Sequence, residues 1–299
     1  MKKKIIITAL LILIAFTANA QLLFRISGNN LAAPSYIVGT YHIVDDSFVD
    51  SIAGIRQALT DCQQVYGEVL KGDLTSTDSL AFKKAQLLPE GMTIDKLLSS
   101  EEMNRLNAFV KKIIGTDLNN PQLASLCHLT PTALSLNLSL IIFARKYGRL
   151  MKSGTMIDDF FQKEASKQGK RVGGFETLDF QLNLLYGYTL EEQKQALMCL
   201  VDNGEVIEKL EEDMAQAYLS YDLNRLKEIL DRKMAICSSP EERAAMLDNR
   251  NADWLTKMPG IMTEKPTLFA VGAGHLLGEN GVLNLLRKAG YTVEPVKLE

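Results

Sequence analysis

Short runs of β-branched and aromatic residues lie near both ends of the chain, bounded by turn-forming residues. Such runs are typical of β-strands. Those near the start are LLFRISG (22–28), SYIVGT (35–40) and QQVYGEVL (63–70), and those near the end are PTLFAVGAGH (266–275) and YTVEPV (291–296). Apolar residues at helical spacing also predict helices over 45–62 and 278–290. Each end of the chain is therefore predicted to carry strands and a helix.

Helical periodicity dominates the middle of the chain, from about residue 80 to residue 262. The predicted helices cover 100–114, 130–148, 156–170, 190–201, 204–219, 222–236 and 240–256, with one short strand at 171–177. Segment 130–148 is apolar almost all round, which predicts a buried helix.

These patterns predict an α+β fold, with a mixed central sheet formed by strands from both chain ends and a large helical insertion at about 80–262. The sequence has no fixed-period repeat, low-complexity tract or Pro/Gly-rich linker that would divide it. We therefore expect residues 21–299 to form a single domain.

The first twenty residues have the composition of a secretory signal peptide. Three lysines at 2–4 precede an apolar run at 5–16 and the sequence Ala-Asn-Ala at 18–20, which allows cleavage before Gln21. A transmembrane anchor is the alternative, but the run is shorter than the ~18 apolar residues that a span needs. We expect an exported protein, periplasmic or secreted, without a stable membrane anchor after cleavage.

Composition and charge narrow the possible partners. The chain has 46% hydrophobic and 23% charged residues and a net charge of -3. No basic stretch with interleaved aromatic residues follows the N-terminus, so no nucleic-acid partner is expected. The four cysteines allow three disulfide pairings in an oxidising compartment. We favour Cys199 with Cys237, because both lie in or beside neighbouring predicted helices; four buried free thiols are the alternative.

Two histidines occur in the same local context. GTYH (39–42) and GAGH (272–275) each place a histidine three residues after a glycine, where a predicted strand ends. The chain has three histidines in all, and the third, His128, lacks this context and is expected to be structural. Ligands bind at the carboxyl ends of strands in open α/β sheets. If the two strands are neighbours, His42 and His275 converge there and can bind a divalent ion such as Mn, Co, Fe or Zn.

Glu68 is the candidate third ligand. It lies in the apolar strand QVYGEV, where a charge is costly unless it is paired or bound to a cation. Three protein ligands with room for water are typical of hydrolytic metal centres. The alternative is that Glu68 faces solvent on an edge strand and that the two histidines are ordinary turn residues.

The sequence resembles the TraB/GumN family, which is similar to the TIKI metalloproteases and, more distantly, to erythromycin-esterase-like and haem-regulated ChaN-like proteins. The paired GxxH strings with a glutamate between them are its distinguishing feature. The other matching segments are LLFRISG near the start, KRVGGFETLDFQLNLL (170–185), RNADW (250–254) and the stretch from TLFAVG to the last strand. The resemblance covers essentially the whole predicted mature chain.

The resemblance implies a divalent-metal hydrolase, with TIKI-type members cleaving peptide bonds. His42, Glu68 and His275 match the metal or catalytic positions. Glu176 and Gln181 match the family's E-T-L-x-x-Q string. Both are expected to position the substrate or the ligands, and in the hypothesised mechanism Glu176 also acts as the general base that accepts a proton from the metal-bound water.

Three further residues match family positions. Arg250 and Asn251 match the R-N-x-x-W string and are expected to support the site, although a structural salt bridge is an equal alternative for Arg250. Asp158 matches a family aspartate, but we expect an exposed carboxylate at the start of a helix.

The function predicted from the sequence is thus an exported metal-dependent hydrolase, peptidase-like through the resemblance alone. One alternative keeps the metal and hydrolyses an ester or another small-molecule bond. The other is a non-enzymatic protein in which the same histidines bind haem or a small ligand. The physiological substrate, the metal and the oligomeric state are not predicted.

Overall fold

The computed structural model describes residues 21–70, 75–148 and 154–297. Its strands are β1 (Leu23–Gly28), β2 (Ser35–Thr40), β3 (Gln64–Val69), β4 (Arg171–Glu176), β5 (Thr267–Gly272) and β6 (Tyr291–Pro295). They form one sheet in the order β4-β3-β5-β2-β1-β6. The predicted signal peptide lies outside the described residues.

The sheet confirms the predicted α+β class. Strands β4, β3, β5 and β2 are parallel to one another, whereas β1 runs antiparallel to both β2 and β6. Strand β5, from the C-terminal part, pairs with β2 and β3 from the N-terminal part. Only β4 comes from the predicted helical insertion, at the segment where a short strand was predicted.

Most helices lie between β3 and β5. The helices are α1 (Ile55–Asp61), α2 (Ser76–Ala85), α3 (Ile94–Leu97), α4 (Ser100–Ile114), α5 (Pro131–Tyr147), α6 (Ile157–Lys167), α7 (Leu178–Tyr186), α8 (Leu190–Asp202), α9 (Gly204–Leu219), α10 (Leu223–Cys237), α11 (Pro240–Arg243), α12 (Asn249–Glu264) and α13 (Val282–Lys288). Short 3-10 helices cover Asp46–Ser51, Pro121–His128 and Ala273–His275, and a π-helical turn covers Ala244–Asp248.

Two of the predicted helices have different bounds in the structure. The segment 45–62 divides into a 3-10 helix and α1, because Gly54 between them has a left-handed backbone with a φ of 72°. The helix predicted to end near 256 continues to Glu264 and has Pro259 inside it. Met258 and Met262 are buried on this extension, and the proline removes one helical hydrogen bond there.

Helix α5 is not buried on every side as its composition predicted. Leu134 and Leu138 are fully buried, but Leu136 is 47% and Leu140 is 39% exposed. One face therefore packs into the protein and the other carries leucines at the surface.

Helices cover both faces of the parallel strands. Successive side chains of a strand point to opposite faces. Gly67 of β3 faces α6, because a Cβ atom there would clash with the Gln162 side chain. On the other face, Phe175 of β4 stacks on both Phe269 of β5 and Trp254 of α12. Glu68 follows Gly67 and so points to the α12 side.

The structure shows one disulfide bond, between Cys199 of α8 and Cys237 of α10. This confirms the favoured pairing. Cys62 is a buried free thiol and Cys127 a partly buried one.

Within the described ranges, the structure contains no helix with the length and apolar character needed to span a bilayer.

We predict that the disulfide stabilises the helical part of the chain. It closes a loop with a sequence separation of 38, and a cross-link of this kind contributes about 2–4 kcal/mol by restricting the unfolded chain. Reductant should lower the urea midpoint of the wild-type protein. The Cys199→Ala/Cys237→Ala variant should have that lower urea midpoint even without reductant, and reductant should not change it further. A wild-type midpoint that reductant leaves unchanged would contradict this prediction.

Candidate functional site

The three predicted metal ligands come together at the carboxyl ends of β2, β3 and β5. They surround Gly272, the last residue of β5. A Cβ atom on Gly272 would lie 3.1 Å from Glu68 Oε1, 3.5 Å from His42 Nε2 and 3.6 Å from His275 Cδ2. The Gly272 N–H donates to Glu68 Oε1 at 2.8 Å. Residues more than two hundred positions apart in sequence thus form one site, as the sequence predicted.

The two imidazole rings are each held at Nδ1. His42 Nδ1 lies 2.9 Å from Asp158 Oδ2, and the Thr40 hydroxyl donates to the other oxygen of that carboxylate. His275 Nδ1 lies 2.6 Å from Asn251 Oδ1. A carboxylate can only accept from His42, which places a proton on Nδ1 and makes Nε2 the acceptor nitrogen of the neutral ring.

The expectation that Asp158 is an exposed carboxylate is wrong. It does lie in the first turn of α6, but its side chain is 12% exposed and contacts His42, whose side chain is 65% exposed. An acidic residue in a first helical turn stabilises the helix dipole by itself. Its sequence position therefore gave no sign of the contact with His42.

Arg250 lies at the centre of the site and is 7% exposed. Its Nη2 donates to Glu68 Oε2 at 2.6 Å and its Nε to Glu176 Oε1 at 2.7 Å. Its Nη1 donates to His275 Nε2 at 3.0 Å and also to the Met246 carbonyl in the π-helical turn. The guanidinium therefore bonds two of the three predicted metal ligands.

Glu176 is enclosed by donors. Its side chain is 3% exposed. Besides Nε, Arg250 Nη2 donates to it at 2.9 Å, Trp254 Nε1 at 2.8 Å and Gln181 Nε2 at 3.0 Å. Gln181 Nε2 also lies 3.3 Å from Glu68 Oε2. Gln181 thus bridges the two carboxylates, and Glu176 has its oxygens occupied.

Asn251 connects His275 to the loop that follows it. Its Oδ1 contacts the ring, and its Nδ2 donates to the Asn280 carbonyl at 2.8 Å. Trp254, one turn further along α12, packs on the same ring with centroids 4.4 Å apart. The His275 ring is thus fixed from its edge and from its face. Trp254 and Asn280 were not predicted as site residues.

The surroundings of Glu68 and His275 lower the pKa of both side chains. Burial opposes ionisation of Glu68, but the surrounding His275 and His42 rings, the Arg250 guanidinium and the Gly272 N–H lower its pKa to about 2. Burial lowers the pKa of His275 to about 3. At neutral pH the site therefore presents a carboxylate and an uncharged imidazole.

The kinds of donor suit a divalent ion. Neutral imidazoles held at Nδ1 by an acceptor, with a carboxylate beside them, are typical of metal-binding sites. Arg250, however, is hydrogen-bonded to both Glu68 and His275. Across the described residues, no three His, Cys, Asp or Glu side chains are positioned to hold an ion. The residues fit a metal in chemistry, and binding requires the Arg250–His275 hydrogen bond to break.

A cleft of about 510 Å³ opens over this site. His42, Glu68 and Arg250 line it together with side chains of α2, α5 and α7. His128 is exposed near the end of a 3-10 helix and is not among the residues that line the cleft.

Comparisons with known proteins agree with the resemblance seen in the sequence. The model of the TraB/PrgY/gumN family matches residues 22–295. Similar curated proteins include "Metalloprotease TIKI homolog" from Nematostella vectensis, 24% identical over 89% of this chain and 65% of that protein. "Metalloprotease TIKI2" from Danio rerio is 24% identical over 87% of this chain and 58% of that protein. "Metalloprotease TIKI1" from Homo sapiens is 24% identical over 87% of this chain and 59% of that protein.

The chain thus spans less than two thirds of the length of these relatives. No solved structure gives a significant match.

We predict that Asp158 sets the tautomer of His42. In Asp158→Asn the amide can donate to Nδ1, which moves the ring proton to Nε2. Long-range ¹H–¹⁵N NMR of the histidine rings should show this change for His42. Glu164→Gln, on the same helix but paired with Lys167, should leave the His42 signals at their wild-type positions. Unchanged His42 signals in Asp158→Asn would contradict the assignment.

We also predict that Arg250 is the main electrostatic support of the site. Arg250→Met leaves Glu68 and Glu176 buried without their cation, which should lower the free energy of unfolding by about 3–5 kcal/mol. Arg171→Met removes a similar pair with Glu264, but both side chains there are about half exposed, and the loss should be below about 1 kcal/mol. Urea denaturation measures both, and equal losses would contradict the prediction.

Proposed function

The chain belongs to the TraB/PrgY/gumN family, and we propose on that basis that it is a metal-dependent hydrolase that cleaves peptide bonds. The observation that carries the proposal is the meeting of His42, Glu68 and His275 around Gly272 at the floor of an open cleft. The printed names of the relatives, which are metalloproteases, support the choice of the peptide bond.

His42, Glu68 and His275 would hold the ion. When bound, a divalent ion supplies a Lewis acid that polarises a carbonyl and makes water a better nucleophile at neutral pH. Asp158 and Asn251 orient the two rings through Nδ1.

Glu176 acts as the anchor of Arg250 in this proposal. The alternative role of general base needs a lone pair that faces the substrate. Donors from Arg250, Trp254 and Gln181 occupy both oxygens of Glu176, and the side chain is almost fully buried. Arg250 holds Glu68 and Glu176 side by side, and its Nη1 would have to leave His275 Nε2 for that nitrogen to hold an ion.

A second candidate is hydrolysis of an ester or a similar bond without a metal. The observation that favours it is the hydrogen bond from Arg250 Nη1 to His275 Nε2, which occupies one of the predicted donor atoms. His42, oriented by Asp158 and open to the cleft, would then take a proton from water at Nε2. Arg250 would stabilise the negative charge on the substrate oxygen.

We further propose that the protein acts after export. The pattern of residues 1–20 supports this proposal. The Cys199–Cys237 disulfide also supports it, since such bonds persist mainly in oxidising compartments.

We predict that His42 is essential for hydrolysis. With an unbiased library of quenched fluorescent peptides and added Mn, Co, Fe or Zn, His42→Ala should lower kcat/KM by at least about 100-fold. His42 is largely exposed, so its loss should not affect folding. His128→Ala removes a histidine outside the cleft and should behave as the wild type. Cleavage that survives in His42→Ala would contradict the proposal.

A chelator distinguishes the candidate chemistries in the same assay. Loss of cleavage on chelation, restored by one divalent ion per chain in elemental analysis, supports the metal-dependent hydrolase. Hydrolysis of ester substrates that chelation leaves intact supports the second candidate. A Soret band with added haem, lost in His42→Ala, together with no hydrolysis of any substrate, would overturn both.

A further inference from the structure

The cleft over the site has a charged floor and apolar walls. The floor is formed by His42, Glu68, Asp158 and Arg250. The walls carry Phe82, Leu136, Met156, Leu184, Leu185 and Met246. The four floor residues form two close pairs, His42 with Asp158 and Glu68 with Arg250. Gln162 and Gln181 also line the cleft, and its other large side chains are apolar. This division is typical of pockets that bind an apolar group and position one polar bond.

Helices of the insertion provide most of these walls. Phe82 comes from α2, Leu136 from α5, and Leu184 and Leu185 from α7. Phe82 is 42% and Leu136 is 47% exposed. Large apolar side chains that stand open around a cavity mark a binding groove more often than a solvated surface. The volume of about 510 Å³ lies within the ~300–1,000 Å³ of ordinary ligand sites.

The helices that carry Phe82 and Leu136 also carry exposed leucines that do not line the cleft. Leu140 lies one turn from Leu136 on α5 and is 39% exposed, and Leu80 precedes Phe82 on α2 and is 66% exposed. Neither lines the cleft. The chain thus offers pairs of exposed apolar residues on one helix that differ in whether they face the site.

The charge of the floor also limits what can bind above it. Glu68 and Asp158 are carboxylates, and the charge of Arg250 is already shared between Glu68 and Glu176. An acidic side chain of a substrate would lie near these carboxylates, and the apolar walls would remove its hydration without offering a hydrogen bond in return. The cleft therefore disfavours acidic groups and favours apolar ones.

We propose that the cleft selects substrates with a bulky apolar side chain, such as Phe, Leu or Met, next to the bond that is cleaved, and that Phe82 and Leu136 are specificity residues. This inference rests on the proposed function, because it names the substrate class of that same site. It also assigns the helical insertion a function, since its helices form the walls that recognise the substrate.

The test uses quenched fluorescent peptides that differ at one central position, with Phe, Leu, Ala, Lys or Asp there. The wild-type protein should show a kcat/KM for the Phe peptide at least about tenfold above that for the Ala peptide, as expected of an apolar pocket, and the lowest value for the Asp peptide. Phe82→Ser and Leu136→Ser should each lower the Phe/Ala ratio several-fold. Leu80→Ser and Leu140→Ser are the matched controls and should keep the wild-type ratio.

Binding of the same peptides separates failure of this inference from failure of the proposed function. If no peptide is hydrolysed with any divalent ion, the proposed function fails, and fluorescence anisotropy of labelled, uncleaved peptides then tests the cleft alone. Tighter binding of the Phe peptide than of the Ala peptide, lost in Leu136→Ser and kept in Leu140→Ser, supports apolar selection. Hydrolysis without apolar preference, equal binding of all peptides, or equal effects of the cleft and control variants would overturn it.

Discussion

The buried guanidinium of Arg250 is the interaction on which the site depends. It joins α12 to Glu68 of β3, to Glu176 at the end of β4 and to His275 after β5. Buried charges are stable only when they are paired and hydrogen-bonded. Each of the three strands therefore has to place its residue within reach of one side chain, which fixes their relative positions at the carboxyl edge of the sheet. The stacked rings of Phe175, Phe269 and Trp254 lie on the same face and add packing to this constraint.

The topology of the sheet explains why residues from distant parts of the sequence meet. Strand β5 lies between β2 and β3 and is parallel to both, so the three strands end at the same edge. Glycine at position 272 allows Glu68 to approach the backbone closely enough to accept its N–H. Helices on opposite faces of the sheet then hold the two histidines, α6 through Asp158 and α12 through Asn251. The site is thus supported from both sides of the sheet.

Local signals in the sequence were sufficient for most of the fold and for the central residues of the site. Helix α4 has the predicted bounds because Ser99 and Glu102 form a capping box at its start and Gly115 ends it. The convergence of His42 and His275 could be predicted because few histidines occur and both follow strands. The contact of Asp158 could not, since it arises from the packing of α6 against β3, β4 and β5 of the sheet. The exposed face of α5 likewise depends on a cleft that the sequence pattern does not show.

The balance of formal charge indicates how Arg250 and a divalent ion can share the site. Among the described residues that form these ion pairs, Glu68, Glu176 and Asp158 are three carboxylates against the one guanidinium of Arg250, a formal excess of two negative charges. A cation near carboxylates in a region of low dielectric gains more than it does in water. A divalent ion would neutralise this excess while Arg250 keeps its bonds to Glu176, and the one bond it has to give up is that from Nη1 to His275. Asp158 also holds Nδ1 of the exposed His42 when no ion is present. The two candidate chemistries therefore use one arrangement of residues, and they differ in whether Nε2 of His42 would bind a metal or take a proton from water.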